Sequence, residues 1–172
     1  MDAVLARGGG LKPVSGGLRS AYAEPVLHFA GPTDRASYEA RLKEPGAGRQ
    51  AHAKRVLARI DAGRPVESTY PYPVQAFALG DGLTLLALAG EVVVDYALRL
   101  KPELSAPGRD VWVAAYANDV FGYVPSARVL KEGGYEGGEA FYYSTFPTPF
   151  ADDVEATIVK AAHEVVGRAR GK

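Results

Sequence analysis

The chain has 172 residues, of which 47% are hydrophobic, enough for one domain with a substantial core. Its 20 basic residues balance 20 acidic ones, so no overall charge draws it to nucleic acid or anionic lipid. It lacks cysteine, which excludes disulfides and thiolate metal sites, and no apolar run reaches the roughly 18 residues of a membrane helix.

Asp2-Ala3-Val4-Leu5-Ala6-Arg7 before Gly8-Gly9-Gly10 reads as the last turns of an amphipathic helix and its glycine stop. The start lacks the apolar core of a secretory signal, and its first residues read as falling inside an element, as expected of part of a longer domain or of a split gene. Pro25 to Ala30, carrying His28, is extended. Two helical patterns follow. One runs from about Thr33 to Glu44, with Pro32-Thr33-Asp34 as its start signal. The other runs from about Arg49 to Ala62, with Ala53, Val56, Leu57 and Ile60 as its apolar stripe. Arg49, Lys54, Arg55 and Arg59 cover the second helix's other face. No aromatic residues interleave them, so they read as a solvated face and not as a nucleic-acid patch.

Ser68 to Pro73, with its Tyr-Pro-Tyr-Pro sequence, is an extended entry to a sheet, because a residue before proline avoids the helical region. Val74 to Leu79 alternates apolar with small or polar residues. The turn Gly80-Asp81-Gly82 joins it in a hairpin to the apolar run Leu83-Thr84-Leu85-Leu86-Ala87-Leu88-Ala89. That run has the character of a strand covered on both faces, and it ends abruptly in Gly90-Glu91. A helix is predicted over Val92 to Lys101, with Pro102 as its stop, and Val111 to Tyr116 reads as a second strand. The two strands and the helix between them form a βαβ unit, which makes the strands parallel and brings both carboxyl ends to one sheet edge. Ligands bind at that edge in open α/β sheets. Glu91 is thus either an acid capping the helix or an acid delivered to a site.

The segment from Asn118 to Tyr143 is dense in glycine and tyrosine and reads as a long ordered loop, structural or functional. Glycines permit close backbone approach, and tyrosines supply apolar area with a polar tip. The last helix spans about Asp152 to Ala169, with Val154, Ile158, Ala162 and Val165 on one face. Its acidic start and basic end suit the helix dipole. No repeat, phosphate loop or dinucleotide fingerprint is present. Ser126 and Ser144 lie in no nucleophile-elbow pattern, and neither is assigned a catalytic role. His28, His52 and His163 lack a paired His or Asp at metal-site spacing.

Three motifs occur in order: Gly90-Glu91 after an apolar strand, Asn118-Asp119-Val120-Phe121-Gly122-Tyr123-Val124-Pro125, and Gly134-Tyr135-Glu136-Gly137-Gly138. Together they resemble the second half of the catalytic domain of the neutral/alkaline non-lysosomal ceramidases, over roughly Tyr70 to Gly167 and more weakly before it. The resemblance implies a zinc-dependent amidase that cleaves the N-acyl bond of ceramide or a related lipid amide. In that family two histidines from the first half of the domain, and a glutamate and a tyrosine from the second half, hold the zinc. By motif the glutamate corresponds to Glu91 and the tyrosine to Tyr123, with Tyr135 as the alternative. Asn118 and Tyr135 fall on the substrate side. The family's two metal histidines are missing from this chain. Further zinc ligands would therefore come from outside it, from a missing first half or a self-associated copy.

The expected architecture is a single α/β domain over residues 1–172, an incomplete half of a larger one. Residues 1–69 form a mostly helical or extended lead-in. Residues 70–172 hold a mixed sheet with its βαβ unit, the loop and the last helix. The competing reading is a metal-free binding or interaction module in which Glu91 merely caps a helix.

Overall fold

In a computed structural model, residues 13–171 are described; the helix expected before Gly8 lies outside them. A mixed four-stranded sheet runs in the order β1 (Leu18–Ala23), β4 (Val74–Leu79), β5 (Leu83–Leu88), β7 (Asp110–Ala114). β4 is antiparallel to β1 and β5, while β5 and β7 are parallel, as the βαβ unit requires. Two small ladders flank the sheet: β2 (Val26–His28) with β3 (Thr69–Pro71), and β6 (Glu91–Val92) with β8 (Tyr123–Val124).

The helices are α1 (Arg35–Arg41), α2 (Ala47–Asp61), α3 (Val94–Leu104), α4 (Ala127–Glu132) and α5 (Val154–Ala169). α1 starts on the Asp34 carboxylate, which accepts from the Ser37 N–H at 3.0 Å and closes the first turn. α5 buries Val154, Ile158, Ala162 and Val165 across β4 and β1, and α3 packs Leu100 and Leu104 beside β7. The sheet residues beneath them, Val74, Ala76, Ala78, Leu86 and Leu88, complete one core. A second, smaller core joins α1 and α2 through Tyr38, Ala53, Val56 and Leu57.

Three expectations change. β1 is an edge strand of the main sheet inside what reads as a lead-in. α3 starts two residues later than expected and passes through Pro102 to Leu104. A proline in the last turn forfeits one backbone bond, and burial of Leu100 and Leu104 one turn apart carries the helix past it. The supposed loop after Asn118 is mostly regular: β8, α4, a π-helical turn over Tyr135–Glu139 and a 3-10 turn over Ala140–Tyr143.

Ion pairs lock α4 into place. Asp95 accepts from the Arg128 guanidinium at 2.8 Å and from the Ser126 hydroxyl at 2.6 Å, and Glu155 accepts from the Ala127 N–H at 2.8 Å. No helix among the described residues is long and apolar enough to cross a membrane.

Candidate functional site

The carboxyl ends of β5 and β7 open on one edge, and Gly90 lets the chain turn there. Its φ is +69°, and a Cβ at this position would lie 2.8 Å from the Phe121 ring and 2.9 Å from the Gly122 carbonyl, so only glycine fits. The Gly90 N–H donates to the Asp119 carbonyl and the Glu91 N–H to the Gly122 carbonyl, each at 2.8 Å. These bonds set Glu91 directly opposite Tyr123 in the parallel β6–β8 ladder. Two buried phenols brace the backbone on either side: Tyr72 donates to the Ala89 carbonyl at 2.7 Å and Tyr96 to the Pro125 carbonyl at 3.1 Å.

Cross-strand partners face the same side, so the Tyr123 phenol and the Glu91 carboxylate are neighbours on one face of the ladder. Interaction with that carboxylate, with desolvation and the charge of Glu136, pushes the Tyr123 phenol up to about 12. The Tyr116 phenol is raised as well, chiefly by its interaction with the same carboxylate. Glu91 is no helix cap. The residue before α3 is Val93, the cap carries no side-chain bond, and the acid in its first turn is Asp95.

Of the residues the sequence singled out, Glu91, Tyr123 and Tyr135 come together. The Tyr135 ring meets the Tyr123 ring edge-on, centroids 5.6 Å apart, from the π-helical turn. Asn118 sits nearby on an exposed turn with φ +67°, a conformation asparagine tolerates. Its position shapes the backbone turn that ends β7. Tyr116 is the residue the sequence reading missed. Its φ is +56°, uncommon for a non-glycine residue, and its N–H donates to the Gly90 carbonyl at 2.8 Å. The available signal was its place at the carboxyl end of β7.

Beside Tyr123 a narrow cleft of about 30 Å³ runs between Phe121, Phe141, Phe146 and Phe150. It has room for a water molecule, and a larger ligand requires these rings to move. Tyr70 donates to the Asp119 carboxylate and packs its ring 4.7 Å from that of Phe121, fixing the wall of the cleft.

The three histidines serve elsewhere. His52 is buried on α2. Its Nε2 lies 2.7 Å from the Phe146 carbonyl, and burial lowers its pKa. His28 lies 3.7 Å from Asp153, and His163 lies 2.8 Å from Glu103. Among the described residues no group of three or more His, Cys, Asp or Glu gathers as a metal cage. The basic face of α2 is largely committed: Arg55 donates to the Tyr142 carbonyl, Arg59 to Glu67, and Arg49 pairs with Glu139 at 3.4 Å. Ser126 caps α4, and the Ser144 hydroxyl bonds the Phe141 carbonyl at 2.9 Å. Both serines have structural work that explains them.

No protein-family model matches this chain, and no curated protein shows significant sequence similarity to it. Among solved structures, the neutral ceramidase from Pseudomonas aeruginosa superposes on 95% of this chain with a TM-score of 0.57 at 16% identity. The chain spans 30% of that protein's length. At such identity the likeness concerns the fold, a ceramidase-like α/β arrangement.

Proposed function

We propose that this chain supplies one side of the active site of a zinc-dependent amidohydrolase that acts on ceramide or a related lipid amide. The observation that carries the reading is the Glu91–Tyr123 pair, a carboxylate and a phenol set directly opposite each other across a parallel ladder at the carboxyl edge of the sheet. The ceramidase-like fold and the order of the three motifs support it.

The donor set fits zinc in part. Glu91 and Tyr123 offer oxygens from one side, with the Tyr116 phenol close to the carboxylate. Oxygen donors alone hold zinc weakly, so the nitrogen ligands must come from outside the chain. Zinc, when bound, supplies a Lewis acid for the amide carbonyl and for water. The chain's own residues contribute position: Glu91 opposite Tyr123 in the ladder, Tyr135 against Tyr123, and the aromatic cleft beside them for apolar parts of a substrate. The chain by itself is inactive on this reading.

Titration of the purified chain with zinc, followed by calorimetry and by tyrosinate absorbance, tests the assignment. Weak binding is expected, at least tenfold weaker in Glu91→Ala and Tyr123→Phe. Identical behaviour of both variants and the parent chain would leave the alternative, a metal-free interaction module.

A further inference from the structure

The aromatic cleft is clamped from outside. Its wall at Phe141, Ser144 and Phe146 belongs to the 3-10 turn and the residues just after it. α1 and α2, which share their own small core, pack on each other and on that turn. The bonds between the two parts end mostly on backbone carbonyls of the wall. Arg55 donates to those of Tyr142 and Ser144, and Tyr38 to that of Pro147 at 3.3 Å. His52 completes the set, with its Nε2 2.7 Å from the Phe146 carbonyl.

The surroundings of the His52 ring leave it one protonation state. A carbonyl only accepts, so Nε2 carries the proton. A guanidinium only donates, so Nδ1, 3.5 Å from an Arg41 nitrogen, stays bare. The groups that face the ring are Arg41 and Tyr38 of α1, Arg55 of its own helix, and Phe141 and Tyr142 of the turn. They carry two positive charges and no carboxylate. Arg41 is itself held in place, its guanidinium 5.2, 5.8 and 6.0 Å from the ring centres of Tyr38, Phe141 and Tyr142.

We propose that His52 is an acid-released latch on the aromatic cleft. Neutral, it ties the α1–α2 pair to the Phe146 carbonyl and keeps the cleft narrow; protonated, it frees the wall from Phe141 to Pro147 and lets an uncharged apolar molecule enter. A second proton has only Nδ1 to occupy, against the Arg41 guanidinium. The ring is 1% exposed, so hydrating an imidazolium there means lifting the turn off α2. Burial, then Arg41 and Arg55, outweigh the Phe146 bond and hold the closed form's affinity for that proton below the ordinary value. Once opened, His52 titrates near the ordinary 6.5, so acid favours the open form by at most roughly tenfold per pH unit below it. The latch concerns the cleft alone and stands whether or not the metal reading does.

Hydrogen exchange of the whole chain at pH 7.5 and 5.5, corrected for the intrinsic effect of pH, tests it. The Ser144 and Phe146 amides, bonded to the Phe141 carbonyl and the Ser144 hydroxyl, should exchange roughly three- to tenfold faster at pH 5.5. Those of α5 should keep their protection, and Nile red fluorescence should rise over the same range. His52→Gln, which keeps an N–H for the Phe146 carbonyl and takes up no proton, should abolish both changes. Arg41→Met should shrink both by removing the opposing cation, an effect that a merely structural His52 would not produce. Equal protection at the two pH values, loss spread evenly over the chain, or loosening without dye uptake overturns the proposal. The same acid response in His52→Gln overturns it too. Should that variant fail to fold, Arg41→Met decides, since an undiminished response there means that the proton acts elsewhere.

Discussion

The Glu91 carboxylate lies near two phenols, Tyr116 and Tyr123, and a charge so placed raises both hydroxyls. Removing its charge should release them. In an alkaline titration followed at the tyrosinate band, Glu91→Gln is expected to let Tyr116 and Tyr123 ionise nearer the ordinary value of 10, while the other tyrosines titrate as before. An unchanged curve would mean the contacts are not made in solution. His52 gives a second test of the same kind. Burial holds its folded-state pKa below the ordinary 6.5, so the unfolded chain binds its proton first as pH falls. Stability should therefore be complete above about pH 6.5 and decline as pH drops below it. His52→Ala should remove that component of the slope and cost about 2–4 kcal/mol at pH 7, through the cavity and the orphaned Phe146 carbonyl. Denaturant melts at pH 7.5 and 5.5 read both effects.

At the scale of elements, two glycines decide where the site can form. Gly90 turns the chain from β5 into β6 with no room for a side chain. Gly90→Ala is expected to cost about 2–4 kcal/mol in chemical denaturation, from positive φ and from overpacking against Phe121. Gly137 allows the π-helical turn to pass the end of α4, since a Cβ there would meet the Val129 carbonyl at 2.3 Å. The turn in consequence presents Tyr135 to Tyr123. Neither the π turn nor the 3-10 turn was readable in advance. Gly-Gly pairs among tyrosines carry no helical periodicity, and the contacts that stabilise these turns come from α4 and α2. β1 was unreadable for a related reason. Leu18-Arg19-Ser20-Ala21-Tyr22-Ala23 is an exposed edge with weak alternation, and its pairing with β4 is what makes it a strand.

Among the described residues the sheet is covered unevenly, with α3 and α5 on one side and the exposed Leu18 and Trp112 on the other. Stability should follow that asymmetry. Ile158→Ala, under the covered face, is expected to cost about 2–5 kcal/mol by cavity formation. Leu85→Ala, on the open face, should cost less than about 1 kcal/mol, as a half-buried sheet position losing only strand preference. Equal losses in urea unfolding would argue against the asymmetry.

The sequence by itself determined the βαβ unit, the hairpin at Gly80–Gly82, the last helix and the arrival of Glu91 at a strand's end. Each rests on local periodicity, turn chemistry or chain direction, which a linear pattern records. Only the tertiary structure decided that Glu91 faces Tyr123 and Tyr116 and caps no helix, that His52 is buried against a carbonyl, and that α3 and α5 pack on the same face of the sheet. Those facts depend on which distant segments meet, through long-range backbone bonds such as Glu91 to Gly122 and Tyr116 to Gly90. Such pairings leave no period in the sequence, because each is fixed by the packing of segments far apart along the chain.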